Sequence, residues 1–348
     1  MTDVIRVDPV HPDAAALARA ANCLRRGGLV AFPTETVYGL GVHALDRAAV
    51  QRLFVAKGRP ANDPLIVHVE SLVQVHDLVL NVPDAARDLA ARFWPGPLTL
   101  VLPRSPRVPD EVTAGLSTVA VRVPAHPVAR ALLAAAGIPV AAPSANLFSR
   151  PSPTRASHVL DDLDGRIDLV VDGGATEVGV ESTVLDLSGV VPTILRPGAV
   201  SLDTLRAILP RVEPRSPGEP VRGAMPSPGM LERHYSPRAP LTVFDGASAD
   251  AVARLVREAC ASIAQGRRVG IMAADEDRAA LAEVERLGAG AIVSYLGSEH
   301  DLATVASRLY AAMRELDASG VERILVRGFP GDDGLGVAIR DRLRRAGV

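Results

Sequence analysis

Two cations, Lys57 and Arg59, stand at positions where they could bind a polyphosphate. Lys57 ends a helical segment and Arg59 follows after one glycine, so two positive charges leave the same element. Arg196 lies beside a late strand. Lysine and arginine are the side chains that bind phosphate groups. Lys57 is also the single lysine among 38 lysines and arginines, which favours a site that needs a compact ammonium. Because a helix C-terminus stabilises any cation, a purely structural role for Lys57 stays open.

Two more chemical side chains interrupt apolar strands. Arg122 lies in the run TVAVRVP and His68 in the run LIVHV. A buried guanidinium must be paired or must reach a cleft, because an unpaired buried charge costs several kcal/mol. Its planar fork suits a carboxylate. His68 is either a ligand-binding residue or a core histidine with a satisfied hydrogen bond.

Short polar loops follow several apolar strands. Loops 33–41, 143–146 and 179–183 carry hydroxyl and amide side chains at strand ends, where α/β sheets commonly bind ligands. The sequence offers neither a metal-binding cluster nor a Ser-His-Asp or Cys-His set. Together these residues supply cations, hydroxyls and an imidazole.

The elements that position these residues predict an α/β protein of two domains. Apolar runs at 29–33, 65–69, 98–102, 118–123, 139–143, 168–172, 183–187 and 193–196 predict strands of a large, twisted mixed sheet in domain 1–209. The segment TETVYGLG is predicted to be a loop, and helices are expected at 12–26, 46–57, 72–80, 83–92 and 126–136.

Residues 210–239 are rich in Pro, Gly and Arg and are predicted to form a linker or lid. From 240 to 348, strands LTVFD, RVGIMA, AIVSYL and RILVRG alternate with helices near 248–264, 276–287, 301–317 and 334–345. This alternation predicts a smaller, doubly wound, Rossmann-like accessory domain.

Composition restricts the function classes. The chain of 348 residues is 48% hydrophobic and 22% charged with a net charge of −2, so it is globular and has no overall basic character for binding nucleic acid. Cys23 and Cys260 lie in apolar helical patterns, which indicates two buried thiols rather than a disulfide. The N-terminus has no apolar signal core, and no apolar run reaches the ~20 residues of a membrane span. A cytoplasmic protein is expected.

Ordered motifs along the chain resemble those of the threonylcarbamoyl-AMP synthase family in its long two-domain form. They are FPTETVYGLG, AKGRP, PLIVHV, WPGPLTLVL, AVRVPAHP, APSAN, RPSPT, GVESTVLD and LRPG, followed by SPGM and HYSP. The resemblance implies a YrdC-like catalytic domain with a basic cleft. It also implies a reaction in which L-threonine, bicarbonate and ATP, with Mg²⁺ expected, give threonylcarbamoyl-AMP and pyrophosphate for tRNA threonylcarbamoyladenosine synthesis.

The resemblance also implies roles for residues matched by motif. The cations expected to act in catalysis are Lys57, Arg59 and Arg196. The residues expected to bind threonine are Thr36, His68, Arg122, Ala142 and Ser182. The residues expected to bind nucleotide are Lys57, Arg59, Asp63, Thr118, Ser144, Asn146, Ser152, Arg196 and Tyr235. A downstream tRNA-threonylcarbamoyl transferase complex would use the product, without stable tRNA binding by this chain, and no metal ligands are assigned.

One departure from the family pattern concerns nucleotide binding. The family often has Asp-Asn before the Pro-Leu of the histidine strand, whereas this chain has Asn62 and then Asp63. Asp63 would contact the nucleotide through its backbone or a metal, or Asn62 would replace it.

Two other functions are alternatives to the synthase. An RNA-binding module would need basic stripes interleaved with aromatics, but aromatics form 3% of the chain. A related carbamoyl-transfer enzyme is the second alternative.

Overall fold

The computed structural model describes residues 1–215, 223–230, 233–246, 248–332 and 334–347. The chain divides into two compact units, one comprising residues 1–148 and 152–231 and the other residues 149–151 and 232–348. Each unit has its own sheet. The short segment 149–151 therefore groups with the second unit although it lies within the range that the sequence assigns to the first domain.

A mixed sheet of eleven strands among the described residues forms the first unit. The strands are β1 (Asp3–Arg6), β2 (Val30–Pro33), β3 (Tyr38–His43), β4 (Ile66–His68), β5 (Leu98–Pro103), β6 (Thr118–Arg122), β7 (Val140–Ala141), β8 (Leu169–Asp172), β9 (Thr183–Asp186), β10 (Thr193–Arg196) and β11 (Glu213–Pro214). Their order across the sheet is β1-β8-β2-β3-β7-β4-β6-β5-β9-β10-β11. Parallel pairs such as β4/β6 and antiparallel pairs such as β2/β3 both occur, which confirms the predicted large mixed sheet.

Helices cover this sheet on both faces. They are α1 (Ala14–Arg25), α2 (Arg47–Lys57), α3 (Leu72–Val75), α4 (Asp84–Phe93), α5 (Asp110–Thr113), α6 (Pro127–Ala136), α7 (Ala156–Leu163) and α8 (Leu202–Arg206). In β2, Ala31 belongs to one buried apolar cluster, while Val30 and Phe32 belong to another with α1 and α6. Both faces of the strand are therefore buried, which explains why its sequence is a continuous apolar run rather than an alternating one.

The prediction of a loop over TETVYGLG is wrong for its second half. Residues from Tyr38 onward form β3, which pairs antiparallel with β2 and with β7. The glycines mark close packing: a Cβ at Gly41 would lie 2.8 Å from both Phe32 Cε1 and Val140 Cγ1. Glycine in a strand commonly marks such an approach, and here it was mistaken for a turn signal.

The predicted helix at 72–80 is also wrong beyond its first turn. Helix α3 ends at Val75. The Leu80 N–H donates to the Pro103 carbonyl, and Ser105 N–H donates to the Leu78 carbonyl. Pairing with the chain after β5 satisfies these backbone groups in place of helical hydrogen bonds.

Helix α2 has the ends that the sequence predicts, and they determine where Lys57 lies. The Asp46 carboxylate accepts hydrogen bonds from the backbone N–H groups of Ala48 and Ala49, at 2.9 and 3.2 Å. Gly58 follows Lys57 in the left-handed conformation with φ 63°, which a glycine adopts without strain. The helix therefore stops at Lys57 and the chain turns at once toward Arg59.

The second unit is a parallel α/β sheet, as its sequence alternation predicts. Strands β12 (Leu241–Phe244), β13 (Val269–Ala273), β14 (Ala291–Tyr295) and β15 (Arg323–Arg327) pair in parallel in the order β12-β15-β13-β14. Its helices are α9 (Ser248–Ala264), α10 (Arg278–Arg286), α11 (Leu302–Ala318) and α12 (Gly334–Ala346). Each strand is followed by a helix, so the crossovers give the parallel arrangement.

The predicted linker, 210–239, is described in part. Its residues 216–222 and 231–232 lie outside the described residues. Strand β11 falls within the range and joins the first sheet through β10. Met225 N–H donates to the Asn62 carbonyl at 3.0 Å, and Met230 packs against a buried group that includes Ile66 and Leu195. Part of the predicted linker therefore packs on the first unit.

Two further expectations concern the cysteines and membrane spans. Cys23 and Cys260 are both free thiols, which confirms that they form no disulfide. Each is partly exposed, so the prediction of buried thiols is wrong. No helix in the described part of the chain is long and apolar enough to span a membrane.

Loss of the α2 cap should destabilise the first unit without changing its fold. Replacing Asp46 with Ala leaves two backbone N–H groups without their acceptor, which typically costs ~1 kcal/mol. Urea unfolding should show that decrease for Asp46→Ala. Asp46→Asn, which keeps a capping oxygen, should remain within a few tenths of a kcal/mol of wild type. Equal losses in both variants would contradict a capping role.

Candidate active site

The buried guanidinium of Arg122, at the end of β6, is bound by protein groups on three sides. Its Nη2 donates to Glu35 Oε1 at 2.6 Å, its Nη1 to Thr36 Oγ1 at 3.0 Å and its Nε to the Gly96 carbonyl at 3.1 Å. Glu35 is buried as well, and its other oxygen accepts from the Ala125 N–H at 3.0 Å. The prediction that Arg122 must be paired is confirmed, and its partner is a carboxylate.

The loop after β2 presents Thr36 to this guanidinium. Thr34 Oγ1 lies 2.8 Å from Thr36 Oγ1 and 2.6 Å from the Val37 carbonyl, to which it donates. The Thr36 and Val37 N–H groups in turn donate to Thr34 Oγ1, each at 3.2 Å. These bonds fix the loop and the rotamer of Thr36, so a polar surface is formed without flexible side chains.

His68 stands beside Arg122 and is neutral. Strands β4 and β6 are parallel and in register, with His68 opposite Arg122. Burial, together with the neighbouring Arg122 charge, lowers the pKa of His68 to about 3. Nδ1 is buried and has no hydrogen-bond partner among the described residues. A core histidine normally has its ring nitrogens satisfied, so this unsatisfied atom favours a ligand-binding role over a structural one.

Lys57 reaches the loop that follows β7. Its Nζ donates to the carbonyls of Ser144 and Asn146 at 2.5 Å each. The Lys57 carbonyl accepts from the Phe148 N–H at 2.9 Å, so both ends of the residue are tied to this loop. The backbone of Ser144 pairs with Gly39 of β3. Lys57, Ser144 and Asn146, all predicted to bind nucleotide, are therefore brought together.

Arg59 and Asp63 form a buried ion pair close to other cations. Arg59 Nη2 lies 3.0 Å from Asp63 Oδ2. Burial raises the pKa of Asp63, while the charges of Arg59, Lys57 and Arg196 act in the opposite direction. The three cations predicted to act on phosphates therefore share one locality with a carboxylate.

Arg196, at the end of β10, is held by the residue predicted to bind threonine. Its Nε donates to the Ser182 carbonyl and its Nη2 to Ser182 Oγ, both at 3.1 Å. Ser182 Oγ is also 2.8 Å from Thr99 Oγ1 on β5. The Nη1 of Arg196 donates to the Pro228 carbonyl at 3.1 Å. The SPGM segment thus contacts a predicted catalytic cation.

Three other predicted site residues of the first unit occupy defined positions. Ala142 is buried, and its N–H donates to the Ile66 carbonyl at 2.9 Å. Ser152 Oγ donates to Glu181 Oε1 at 2.5 Å. Thr118 begins β6, four positions before Arg122, and lies opposite Pro103 of β5.

Tyr235, predicted to bind nucleotide, belongs to the second unit. Its ring is buried at 5.5 Å from the Tyr310 ring and 4.1 Å from the His234 ring, with the Arg342 guanidinium over it. Its φ of 64° lies in the left-handed region, which non-glycine residues rarely adopt. Its nucleotide contact stays a prediction.

Sequence reasoning missed three residues that hold this site. Glu35 pairs with Arg122, Thr99 contacts Ser182, and Glu181 accepts from Ser152. A signal for Glu35 was present, because an arginine inside an apolar strand requires a counterion. Thr99 and Glu181 are separated from their partners by 83 and 29 residues, and no local pattern indicates such pairs.

Comparisons with known proteins show the family of this chain. A family model described as "Telomere recombination" matches residues 22–198, and one described as "Threonylcarbamoyl-AMP synthase, C-terminal domain" matches residues 200–347. Threonylcarbamoyl-AMP synthase from Pyrococcus abyssi is 45% identical over 94% of this chain and 92% of its own length. The Bacillus subtilis protein of the same name is 43% identical over 97% and 95%. The chain belongs to the threonylcarbamoyl-AMP synthase family.

A solved relative supports the two-domain form of the family. The crystal structure of P. abyssi Sua5 complexed with L-threonine has a TM-score of 0.91 and 42% identity, covering 99% of this chain and 97% of that one. The match therefore extends through the second unit and beyond the YrdC-like part.

The neutrality of His68 predicts a specific pH dependence of stability. With a pKa of 6.5 when unfolded and about 3 when folded, the unfolded chain binds more protons below pH 6.5. The free energy of unfolding should then fall by up to ~1.4 kcal/mol per pH unit from 6.5 downward, with no such loss above 6.5. Urea unfolding of wild type and His68→Gln between pH 7.5 and 5.0 checks this.

His68→Gln should lack that loss, and His76→Gln, at an exposed position, should follow wild type. Parallel pH profiles for wild type and His68→Gln would show that the His68 ring is protonated in the folded protein.

Proposed function

We propose that this chain makes threonylcarbamoyl-AMP and pyrophosphate from L-threonine, bicarbonate and ATP. The observation that carries the proposal is that Lys57, Arg59 and Arg196 are all buried and that their charges all reach the buried Asp63, which Arg59 contacts at 3.0 Å. This group occurs in a chain that matches a threonine-bound relative over nearly its whole length. Three buried cations suit a polyphosphate, and a basic cleft of this kind is part of the proposal.

The Arg122 side of the site would bind threonine. Three of the five N–H donors of the guanidinium are used by the contacts to Glu35, Thr36 and Gly96. Its charge favours an anionic group, either the threonine carboxylate or the carbamate. Neutral His68 can exchange a hydrogen bond without adding charge, and the Thr36 and Ser182 hydroxyls can bind the polar groups of threonine. Ala142 would limit the size of the pocket.

The Lys57 side would bind the nucleotide. Ser144, Asn146 and Ser152 lie in the loop that Lys57 contacts or just beyond it, and Arg59 and Arg196 complete the charge. Thr118 would contribute from β6, Asp63 is treated below, and Tyr235 would close on the nucleotide.

The chemistry needs no covalent enzyme intermediate. The threonine amine combines with bicarbonate to give a carbamate and water. A carbamate oxygen then attacks the α-phosphorus of ATP, the bond to the β-phosphate oxygen breaks, and pyrophosphate leaves with its electron pair. Charge moves onto the departing phosphates, where Lys57, Arg59 and Arg196 would stabilise it. Catalysis by positioning is also what the neutral histidine and the paired arginine support.

Mg²⁺ would enter with the nucleotide rather than through a protein cage. The described residues contain no cluster of three metal-ligating side chains. Mg²⁺ commonly keeps several waters and is held by substrate phosphates with one or two carboxylates, which this residue set allows. When bound, it would neutralise phosphate charge.

The product determines what must follow. Threonylcarbamoyl-AMP is a mixed anhydride that water destroys, so the next reaction must transfer the threonylcarbamoyl group to a nucleophile. We place that step on the tRNA adenosine beside the anticodon, in a separate transferase complex in the cytoplasm.

Removing the Lys57 ammonium should abolish most synthesis. With ATP, L-threonine, bicarbonate and Mg²⁺, Lys57→Ala should form threonylcarbamoyl-AMP slower by on the order of 100-fold, as for other losses of a charge-stabilising donor. Mass spectrometry of the adduct and pyrophosphate release measure this.

Arg52→Ala removes an exposed cation from the same helix and should leave the rate unchanged. Full activity of Lys57→Ala, or wild-type protein that makes no adduct, would contradict the proposed reaction.

Weakening the Glu35 partner of Arg122 should act on threonine selectively. Glu35→Gln keeps an oxygen for Arg122 but loses the charge-assisted bond that orients the guanidinium toward threonine, so the KM for threonine should rise by about tenfold. The KM for ATP should change little. Steady-state kinetics with each substrate varied measures both.

The control is Glu177→Gln. Glu177 is exposed and precedes Val178, whose N–H donates to the Glu35 carbonyl. An equal rise of both KM values would show a general loss of folding rather than a threonine effect.

A further inference from the structure

A fully buried carboxylate lies among the cations that would bind phosphates. Asp63 has 0% exposed surface and immediately precedes Pro64 and the histidine strand. Burial raises the pKa of Asp63, and the nearby charges of Arg59, Lys57 and Arg196 act against that rise. A negative charge in this place requires an explanation, because the neighbouring cations are the ones that a polyphosphate needs.

The geometry shows that Asp63 holds Arg59 within its own loop. Arg59 Nη2 is 3.0 Å from Asp63 Oδ2 and 2.7 Å from the Pro64 carbonyl. Arg59 Nε donates to the Asp63 backbone carbonyl at 3.1 Å. All three contacts lie within six residues, so the ion pair links no distant elements. The ion pair therefore affects the orientation of the Arg59 side chain and the positive charge that it presents to a ligand.

The negative charge of Asp63 should weaken the binding of an incoming anion. A carboxylate paired with Arg59 at 3.0 Å lowers the attraction of that guanidinium for phosphate, and it repels the phosphate directly. Between charges a few Å apart near a protein surface such terms are large compared with thermal energy. Arg59 can turn to a phosphate only by giving up part of its bond to Asp63.

We propose that Asp63 is an internal anion that competes with polyphosphate for the cation group, holding Arg59 in the nucleotide-free protein and weakening the binding of ATP and pyrophosphate. The inference rests on the proposed function for the identity of these ligands. Asp63 is then a positioning residue that limits affinity, and it favours release of the pyrophosphate product. It would not be a ligand of the nucleotide or of its metal, which is the alternative that the test separates.

The test compares Asp63→Asn with wild type in the full chain. Binding of pyrophosphate and of ATP is measured by calorimetry and by thermal shift, each with Mg²⁺ and with a chelator. Asp63→Asn should melt at a lower temperature without ligand, because Arg59 loses its buried partner. It should bind metal-free pyrophosphate about tenfold or more tightly and gain more thermal stabilisation from it.

Asp277→Asn in the second unit is the matched control. Asp277 is also a buried aspartate paired with an arginine, with Arg327 Nε at 3.5 Å. This substitution should lower the melting temperature but leave pyrophosphate affinity at the wild-type value. If Asp63→Asn does not fold, Asp63→Ser removes the same charge and is used in its place.

The outcomes are distinct. Unchanged affinity in the Asp63 variant would mean a structural ion pair only, and weaker affinity with Mg²⁺ would mean a nucleotide or metal ligand; either result overturns the inference alone. Wild-type protein that binds neither ATP nor pyrophosphate would overturn the proposed function together with it.

Discussion

Burying a guanidinium inside a sheet costs several kcal/mol unless its charge is compensated. In the first unit, the buried guanidinium of Arg122 is compensated by neighbouring protein groups. Glu35 supplies the opposite charge, and Thr36 and the Gly96 carbonyl take two further donors. These contacts define the loop after β2, and burial together with the Arg122 charge keeps the neighbouring His68 neutral. A polar pocket can therefore exist between apolar strands because its charges are balanced before any ligand arrives.

The three cations expected to bind phosphates are also buried, but their charge is compensated only in part. Lys57, Arg59 and Arg196 are all buried, and backbone carbonyls and one carboxylate partly compensate them. Carbonyl oxygens stabilise a cation without cancelling its net charge, so an excess of positive potential remains. Such preorganised charge is what a reaction with a departing pyrophosphate requires. In the proposed function, the charge-balanced residues around Arg122 bind the amino acid and the incompletely balanced cations bind the polyanion.

Local signals made much of this predictable, and non-local pairing explains the failures. The Asp46 cap, the Gly58 stop and the alternation of the second unit are encoded by neighbouring residues and are found as expected. The strand at Tyr38 was missed because its glycines permit packing against Phe32 and against Val140, and Val140 is distant in sequence. Glu35 was missed for a related reason, since its partner lies 87 residues away. Motifs predicted the site residues, whereas the residues that hold them in place were missed.

The single lysine of the chain illustrates how composition can carry positional information. Elsewhere the chain uses arginine for positive charge. At position 57 the Nζ atom lies 2.5 Å from two carbonyl oxygens of one loop, those of Ser144 and Asn146. A compact ammonium can sit at the point where those carbonyls converge, because its three donors spread around one nitrogen. A planar guanidinium is wider and presents its donors in one plane, so it would separate the carbonyls and move the loop. The need for a point charge at a fixed place therefore explains why an arginine-rich sequence keeps lysine here.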